Sequence, residues 1–492
     1  IRRTVVVKTI GNVQKDAQVR AAASGALSNG DTVIVNSDGT VSAVAGSTKN
    51  EEFGSPSVFE SAAISYLDST FDSTSNKFIL AYQDSGNSQK GTAVVGTVNA
   101  SNNSISFGTP VVFQNSGVEY CSVVHDSSND KIVIFYHDFG DTNYGKAIVG
   151  TVSGTSISFG TAVVFASVVA RTNMAVFDSG NGKVVNVYRN SSTNSSGDAV
   201  VGTVSGTSIS FGSTSNWTGQ NNGVAAASYI GSSKVFIAFK KGQDSDKGYA
   251  LIATVSGTSL SYGAEYKFTD DNMTDPFTSY DSTADKVLVG WRNNSDQGKV
   301  AVATVSGTAI TYGSAVNYAS VASSGDTSRS SATYDSVNDK TVIFYQDNGN
   351  SLYGTAAVGT ISGTSISFGT PIVFEAASTN YTTSSFDSNA EKIVVGYRDQ
   401  GNSNYGTGIV FQNYNLTTNL TSDNFIGFAD GAYADTQSAV INTTCFVDRN
   451  QTSLTAGQKY YVQTDGSLGL TAADPSVEAG TAISSTEILV KG

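Results

Sequence analysis

The stretch from Gly145 to Phe165, GKAIVGTVSGTSISFGTAVVF, returns almost unchanged as Gly354 to Phe374, GTAAVGTISGTSISFGTPIVF. Working outward from it, three landmarks recur in fixed order along the chain. An aromatic-glycine pair falls at Phe53-Gly54, Phe107-Gly108, Phe159-Gly160, Phe211-Gly212, Tyr262-Gly263, Tyr312-Gly313 and Phe368-Gly369. A lysine followed five residues later by an aromatic falls at Lys77/Tyr82, Lys131/Tyr136, Lys183/Tyr188, Lys234/Phe239, Lys286/Trp291, Lys340/Tyr345 and Lys392/Tyr397. A glycine opens a short apolar run at Gly91, Gly145, Gly197, Gly248, Gly298, Gly354 and Gly406. Each landmark occurs seven times, and a fixed period of this kind signals a repeat architecture.

Within a unit, runs rich in Val, Ile, Phe, Tyr and Thr alternate with Asp, Asn, Ser and Gly, the composition of short strands and turns. In the second unit the runs are Tyr120–Val124, Lys131–Tyr136, Lys146–Val152 and Ser156–Phe165. Four antiparallel strands repeated seven times predict an all-β fold, a seven-bladed β-propeller. The phase of the repeat adds a closure. Residues 52–59 read as an outer strand with no strands of their own before them, while residues 379–414 supply three strands and no outer one, so the N-terminal strand is expected to complete the last blade.

The expected domains are 1–49, an N-terminal β flank; 50–416, the propeller; and 417–492, a C-terminal β flank that pairs with 1–49. The flanks resemble each other: Leu27 to Val41 aligns without a gap on Leu454 to Leu468, with turns at Asp38-Gly39 and Asp465-Gly466. Together they are expected to make one small β domain.

A net charge of −13 and a pI near 4.6 argue against nucleic acid as a partner, and no segment is long and apolar enough to insert into a membrane. Cys121 and Cys445 fall in different predicted domains, so no disulfide is expected, and no Cys/His spacing points to zinc. The Asn-x-Ser/Thr triplets, such as Asn216-Trp217-Thr218, follow from a composition rich in those residues. Loops such as Asp84-Ser-Gly-Asn87 and Asp399-Gln-Gly-Asn402 carry oxygen-rich spacing, but Asp, Asn and Gly are also what tight turns require, so no metal and no cofactor is expected.

No nucleophile elbow, P-loop or His-Glu-x-x-His motif occurs. Arg189, Arg292 and Arg398 hold one equivalent position after a second strand, yet the same position holds Gln83, His137, Lys240 and Gln346, and the Ser-x-Asp-x-Gly-x-Thr-Trp pattern of sialidases is missing. The expectation is therefore no catalytic residue and no enzyme. Ligand contact is expected on the face carrying the varied connections after the second and fourth strands, with His137, Arg189, Lys240, Arg292 and Arg398 as donors and Trp217 as an aromatic platform.

The Gly-Thr-Ala-Val-Val-Gly-Thr-Val and Ser-Gly-Thr-Ser-Ile-Ser-Phe-Gly-Thr-Pro-Val-Val-Phe repeats resemble those of structural proteins of marine tailed bacteriophages. The C-terminal stretch Gly457 to Leu468, followed by Ser476 to Val490, is similar to small β modules of phage fibres and appendages. The resemblance implies a virion protein, an appendage or tail fibre used in host attachment. Its flanks would dock on other virion proteins, its propeller face would meet a host glycan or receptor, and the chain would sit in a homo-oligomer or larger assembly. The alternative is a secreted or cell-surface carbohydrate-binding propeller or adhesin.

Overall fold

The computed structural model describes residues 17–49, 51–219, 222–320, 330–413, 415–473 and 475–491. The chain is all-β and divides into two compact units, one spanning Glu51–Asn413 and the other combining the two chain ends, Ile1–Asn50 and Tyr414–Gly492.

The larger unit is built from a recurring antiparallel meander. In the second copy, Val111–Asp126 pairs with Lys131–Asp138, that strand with Tyr144–Ser153, and that in turn with Ser156–Phe159 and Val163–Ala166. The first turn forms because the Asp126 carboxylate accepts from the amides of Ser128 (3.0 Å) and Asn129 (3.1 Å), while Asp130 takes a left-handed conformation at φ 54°. Aspartates 72, 178, 281, 335 and 387 are buried at the equivalent turn. The fourth strand, expected as one run over Ser156–Phe165, is instead broken at Gly160, so its two halves cover the two ends of the third strand.

That break has a steric cause. A Cβ at Gly108 would overlap the carbonyl oxygen of Thr155, which lies in the hairpin turn of the following meander. Gly160 meets Thr207, Gly212 meets Thr258 and Gly313 meets Thr364 in the same way. The aromatic-glycine landmark is thus where one meander's edge touches the backbone of the next. The third-strand glycines have a parallel role, since a Cβ at Gly145 would strike the ring of Phe165 and one at Gly91 the ring of Phe113.

Second strands are buried on both faces: in Lys131–Asp138 every residue after Lys131 is buried. Successive meanders therefore sandwich one another, and the aromatic of the lysine landmark fills the layer between them. Tyr82, Tyr136, Tyr188, Phe239, Trp291, Tyr345 and Tyr397 all have at most 1% of their surface exposed. Burial holds the hydroxyls of Tyr82 and Tyr397 well above their ordinary range, and they donate to Glu60 (3.1 Å) and Glu375 (2.9 Å).

Three of the connections are continuous 16-residue strands, Ser57–Asp72, Val111–Asp126 and Ile372–Asp387, each of which edges one meander and then opens the next. The first half of Ser57–Asp72, with Glu52–Phe53 before it, pairs with Tyr405–Gln412: Phe53 faces Phe411, Val58 faces Thr407 and Ala63 faces Tyr405. First strands also neighbour one another, Ser57–Asp72 lying against both Val111–Asp126 and Ile372–Asp387. A buried hydrogen bond of 2.8 Å joins Ser69 to Thr383. Several meanders share one 17-stranded sheet while others stand as separate five-stranded sheets, and among the described residues no single sheet closes on itself.

The smaller unit holds two five-stranded sheets. Gln18–Ala22 pairs with Ser438–Asn442, and Thr32–Val35 pairs with both Val41–Ala43 and Phe425–Ala429. The hairpin that resembles 27–41 in sequence, Lys459–Val462 with Leu468–Gly469, lies in the other sheet. Both hairpins use one turn chemistry, Asp38 accepting from the Thr40 amide (3.0 Å) and Asp465 from the Ser467 amide (2.9 Å).

Candidate functional site

First strands touch one another without sharing a backbone ladder, so short polar side chains bridge them. Ser122 Oγ donates to Asp68 (3.1 Å) and accepts from the Ala175 amide (3.0 Å), Ser228 meets Thr278 (2.8 Å), and Thr333 meets Ser384 (2.7 Å). These strands surround a cavity of about 290 Å³, lined among others by Ser69, Ser122, Asn173, Thr278, Ser331 and Thr383.

At one end of the first strands lies a bulge. In five copies the residue at the register shift is left-handed without being glycine: Tyr66 (φ 51°), Tyr120 (52°), Thr172 (48°), Asp275 (50°) and Tyr381 (50°). Such a conformation costs roughly 1–3 kcal/mol where it is strained, and it is most unusual for a β-branched residue such as threonine. The bulge turns aromatic side chains together, the Tyr66 ring lying 4.8 Å from that of Tyr120 and 5.7 Å from that of Tyr381.

The second-strand position singled out in the sequence lies beside these bulges. Gln83 pairs with Ser65, His137 with Glu119, Arg189 with Arg171, Arg292 with Thr274 and Arg398 with Asn380. Several of these side chains brace the fold. Gln83 donates to the Val118 carbonyl (2.6 Å) of the next meander. Arg398 donates to Asn380 (2.6 Å) and the Ile64 carbonyl (3.3 Å), with its guanidinium 4.9 Å from the centre of the Tyr381 ring. Burial lowers the Arg398 pKa.

His137 is 1% exposed, with Nε2 2.8 Å from Asn143 Oδ1 and Nδ1 3.4 Å from Glu119 Oε2. Its pairing with Glu119 holds that carboxyl below its ordinary value against the opposing effect of burial. Arg292 is held by Asp275 (3.2 Å) and Asp296 (2.6 Å), and Lys240 lies 3.5 Å from Asp246. Of the six residues expected to touch ligand, Arg189 alone lines the cavity among the described residues.

Trp217 requires a correction. It sits inside the strand Ser215–Thr218, 6% exposed, with its ring against Gly197 and 4.9 Å from Phe239 and its Nε1 donating to the Asp198 carbonyl (3.0 Å). It offers no exposed platform. It takes the place held by Phe113, Phe165, Phe268, Tyr318 and Phe374 over their own third-strand glycines, a series visible in the sequence. The oxygen-rich loops use their aspartates as caps: Asp84 accepts from the Asn87 amide (3.1 Å) and Asp399 from the Asn402 amide (3.0 Å). His125 bridges meanders, its Nε2 3.2 Å from Asp72 and 3.9 Å from Asp130.

No protein-family model matches the sequence, and no curated protein does. Solved structures do show likeness. A mutant of NanB sialidase from Streptococcus pneumoniae is 12% identical over 73% of this chain and 70% of its own, with a TM-score of 0.43. A mutant of Aleuria aurantia lectin in complex with alpha-methyl-L-fucoside is 15% identical over 65% of this chain and 98% of its own, at 0.42. Trypanosoma rangeli sialidase is 12% identical over 62% of this chain and 56% of its own, also at 0.42. The expectation that the chain is not an enzyme is corrected by this finding, because two of these three structures are of enzymes. Among the described residues no helix is long and apolar enough to cross a membrane.

Proposed function

We propose that residues 51–413 form a seven-bladed β-propeller that binds a carbohydrate where its central cavity meets the strand bulges. The ring reading is supported by the neighbour relations of the first strands, which run from Ser57–Asp72 through Val111–Asp126, Ala170–Asp178, Asn222–Tyr229, Met273–Asp281 and Ser331–Asp335 to Ile372–Asp387, whose own neighbour is again Ser57–Asp72. It is supported too by the N-terminal strand on Tyr405–Gln412.

The observation that carries the ligand class is the cavity lining. Hydroxyl and amide side chains converge there with Arg189, Tyr120 and Asp275, and their volume of about 290 Å³ suits a sugar unit. Saccharides present alternating donors and acceptors with apolar ring faces, which such a lining can meet. The setting we propose is extracellular, on a cell surface or on a virion; mass spectrometry of purified particles separates the two.

The test is a glycan array probed with the full chain, with sugar release measured in parallel. Retention or turnover of a defined saccharide by the wild type, lost in Arg189→Ala with the fold intact, is the expected result. No retained or cleaved saccharide at millimolar concentration would sink the proposal.

A further inference from the structure

The register position at the bulge supplies an internal control, because five copies show which pairs the fold tolerates there. Glu119 faces His137, Asn380 hydrogen-bonds Arg398, Ser65 faces Gln83, and Thr274 faces an Arg292 neutralised by two aspartates. The third copy alone sets like charges opposite each other, Arg171 against Arg189. Directly opposed residues on antiparallel strands have Cβ atoms about 5 Å apart, and like charges at that distance repel.

Among the described residues no salt bridge or short hydrogen bond engages either guanidinium group of this pair. Arg189 has one long hydrogen bond, from Nε to Ser191 Oγ at 3.4 Å, and no ion pair. Arg171 makes no hydrogen bond, and its Nε is buried without a partner. Glu119 feels the charge of Arg171, but its oxygens face His137 and Tyr66.

Beside them stands Thr172, 4% exposed and left-handed at φ 48°, with Oγ1 buried and also unpartnered. Thr172 and Arg189 both line the cavity. Two arginines on facing register positions, neither in a salt bridge among the described residues, and an orphaned hydroxyl on the strained residue next to Arg171 thus gather at the bulge. Planar guanidinium groups bind oxyanions through paired N–H donors, and a buried hydroxyl adds another donor. With a net charge of −13, the whole chain does not attract anions at long range, so the positive charge here is local.

We propose that Arg171, Arg189 and Thr172 bind an oxyanion carried by a saccharide, either a carboxylate or a sulfate ester. The assignment deepens the carbohydrate reading and rests on it for the saccharide, while the anion site rests on the arginine pair alone.

The experiment measures calorimetric binding of three oligosaccharides to the full chain, one neutral, one bearing glucuronate and one sulfated, and the thermal shift produced by sodium sulfate against chloride at equal ionic strength. Variants are Arg171→Gln, Thr172→Gly and, as a control in the other unit, Arg20→Gln. We expect the wild type to prefer an acidic saccharide and sulfate to raise its melting temperature. Arg171→Gln should weaken acidic binding about tenfold or more, and Arg20→Gln should leave it unchanged. Without anion, Arg171→Gln and Thr172→Gly should melt no lower than wild type, since one removes repulsion and the other the strained β-branched residue. The glucuronate and sulfate arms decide between the two oxyanions.

Equal binding of neutral and acidic saccharides, or acidic preference retained in Arg171→Gln, overturns the proposal and leaves the carbohydrate reading standing. Protection by sulfate with no saccharide bound keeps the anion site and removes the carbohydrate reading. No response to sulfate or to any acidic saccharide overturns the anion site.

Discussion

Phe59 tests whether the N-terminal strand is held as firmly as a strand inside its own repeat. It is 5% exposed, lies over Gly406, and packs with its ring 5.3 Å from Tyr82 and 5.4 Å from Phe107. Its counterpart Phe165 is 6% exposed, lies over Gly145, and packs 5.2 Å from Tyr188 and 5.5 Å from Phe135. Truncating a buried phenylalanine to alanine costs about 3–5 kcal/mol from lost transfer energy and the cavity left behind. That cost appears in full only if the strand cannot detach for less, because local opening caps what a side chain can contribute. We expect Phe59→Ala and Phe165→Ala to lose similar stability, within about 1 kcal/mol of each other on that scale. Urea titration followed by tryptophan fluorescence isolates the relevant unit, since the chain's two tryptophans, Trp217 and Trp291, both lie within 51–413. A loss below about 1 kcal/mol for Phe59→Ala beside a full loss for Phe165→Ala would show a strand that frays off the sheet, and the closing role would be refuted.

Other outcomes follow from the close approaches and from the bulge. Gly108→Ala should cost about 1–3 kcal/mol by overpacking against the Thr155 carbonyl, whereas Gly369→Ala should be nearly neutral because its nearest backbone neighbour, the Val358 carbonyl, is 4.0 Å away; equal melting temperatures for the two would contradict the packing account. Glu119 has a depressed pKa in the folded state, so its contribution is present above its ordinary value of 4.5 and is lost as pH falls through the lower folded value. Glu119→Gln should therefore flatten the acid limb of a stability-pH curve measured below about pH 5, and an unchanged limb would count against the pairing with His137.

The meander was readable from the sequence because its turns carry obligatory chemistry. Aspartates such as Asp126 cap their own turn, and glycines such as Gly108 mark a backbone contact that no other residue could make. The bulge was not readable. Tyr66, Tyr120 and Thr172 have no composition signal for positive φ, and tertiary packing imposes it. The polar bridges among Ser122, Asp68 and Thr383 were hidden for a related reason, since serine and threonine in a strand read equally as solvent-facing. Taken singly, Trp217 reads as a surface aromatic, whereas its series with Phe113 and Phe165 over third-strand glycines marks it as core. The repeat aligns His137, Arg292 and Arg398 at one second-strand position, but the neighbours that engage them, Asn143, Asp275 and Asn380, come from register and loop geometry that spacing does not disclose.

The pairing of Ser57–Asp72 with Tyr405–Gln412 also sets a timetable for synthesis. Residues 57–63 leave the ribosome well before their partner strand, which ends at Gln412, roughly 350 residues later, an interval of some tens of seconds at about 5–20 residues per second. Through that interval the nascent chain carries an unpaired strand edge, the element most prone to pairing with another molecule. Glu52, Glu60 and Pro56 in and around it are the residue types that discourage such pairing. A lag between synthesis and protease resistance, shortened in a circular permutant that moves residues 51–63 behind residue 413, would be the kinetic trace of this arrangement.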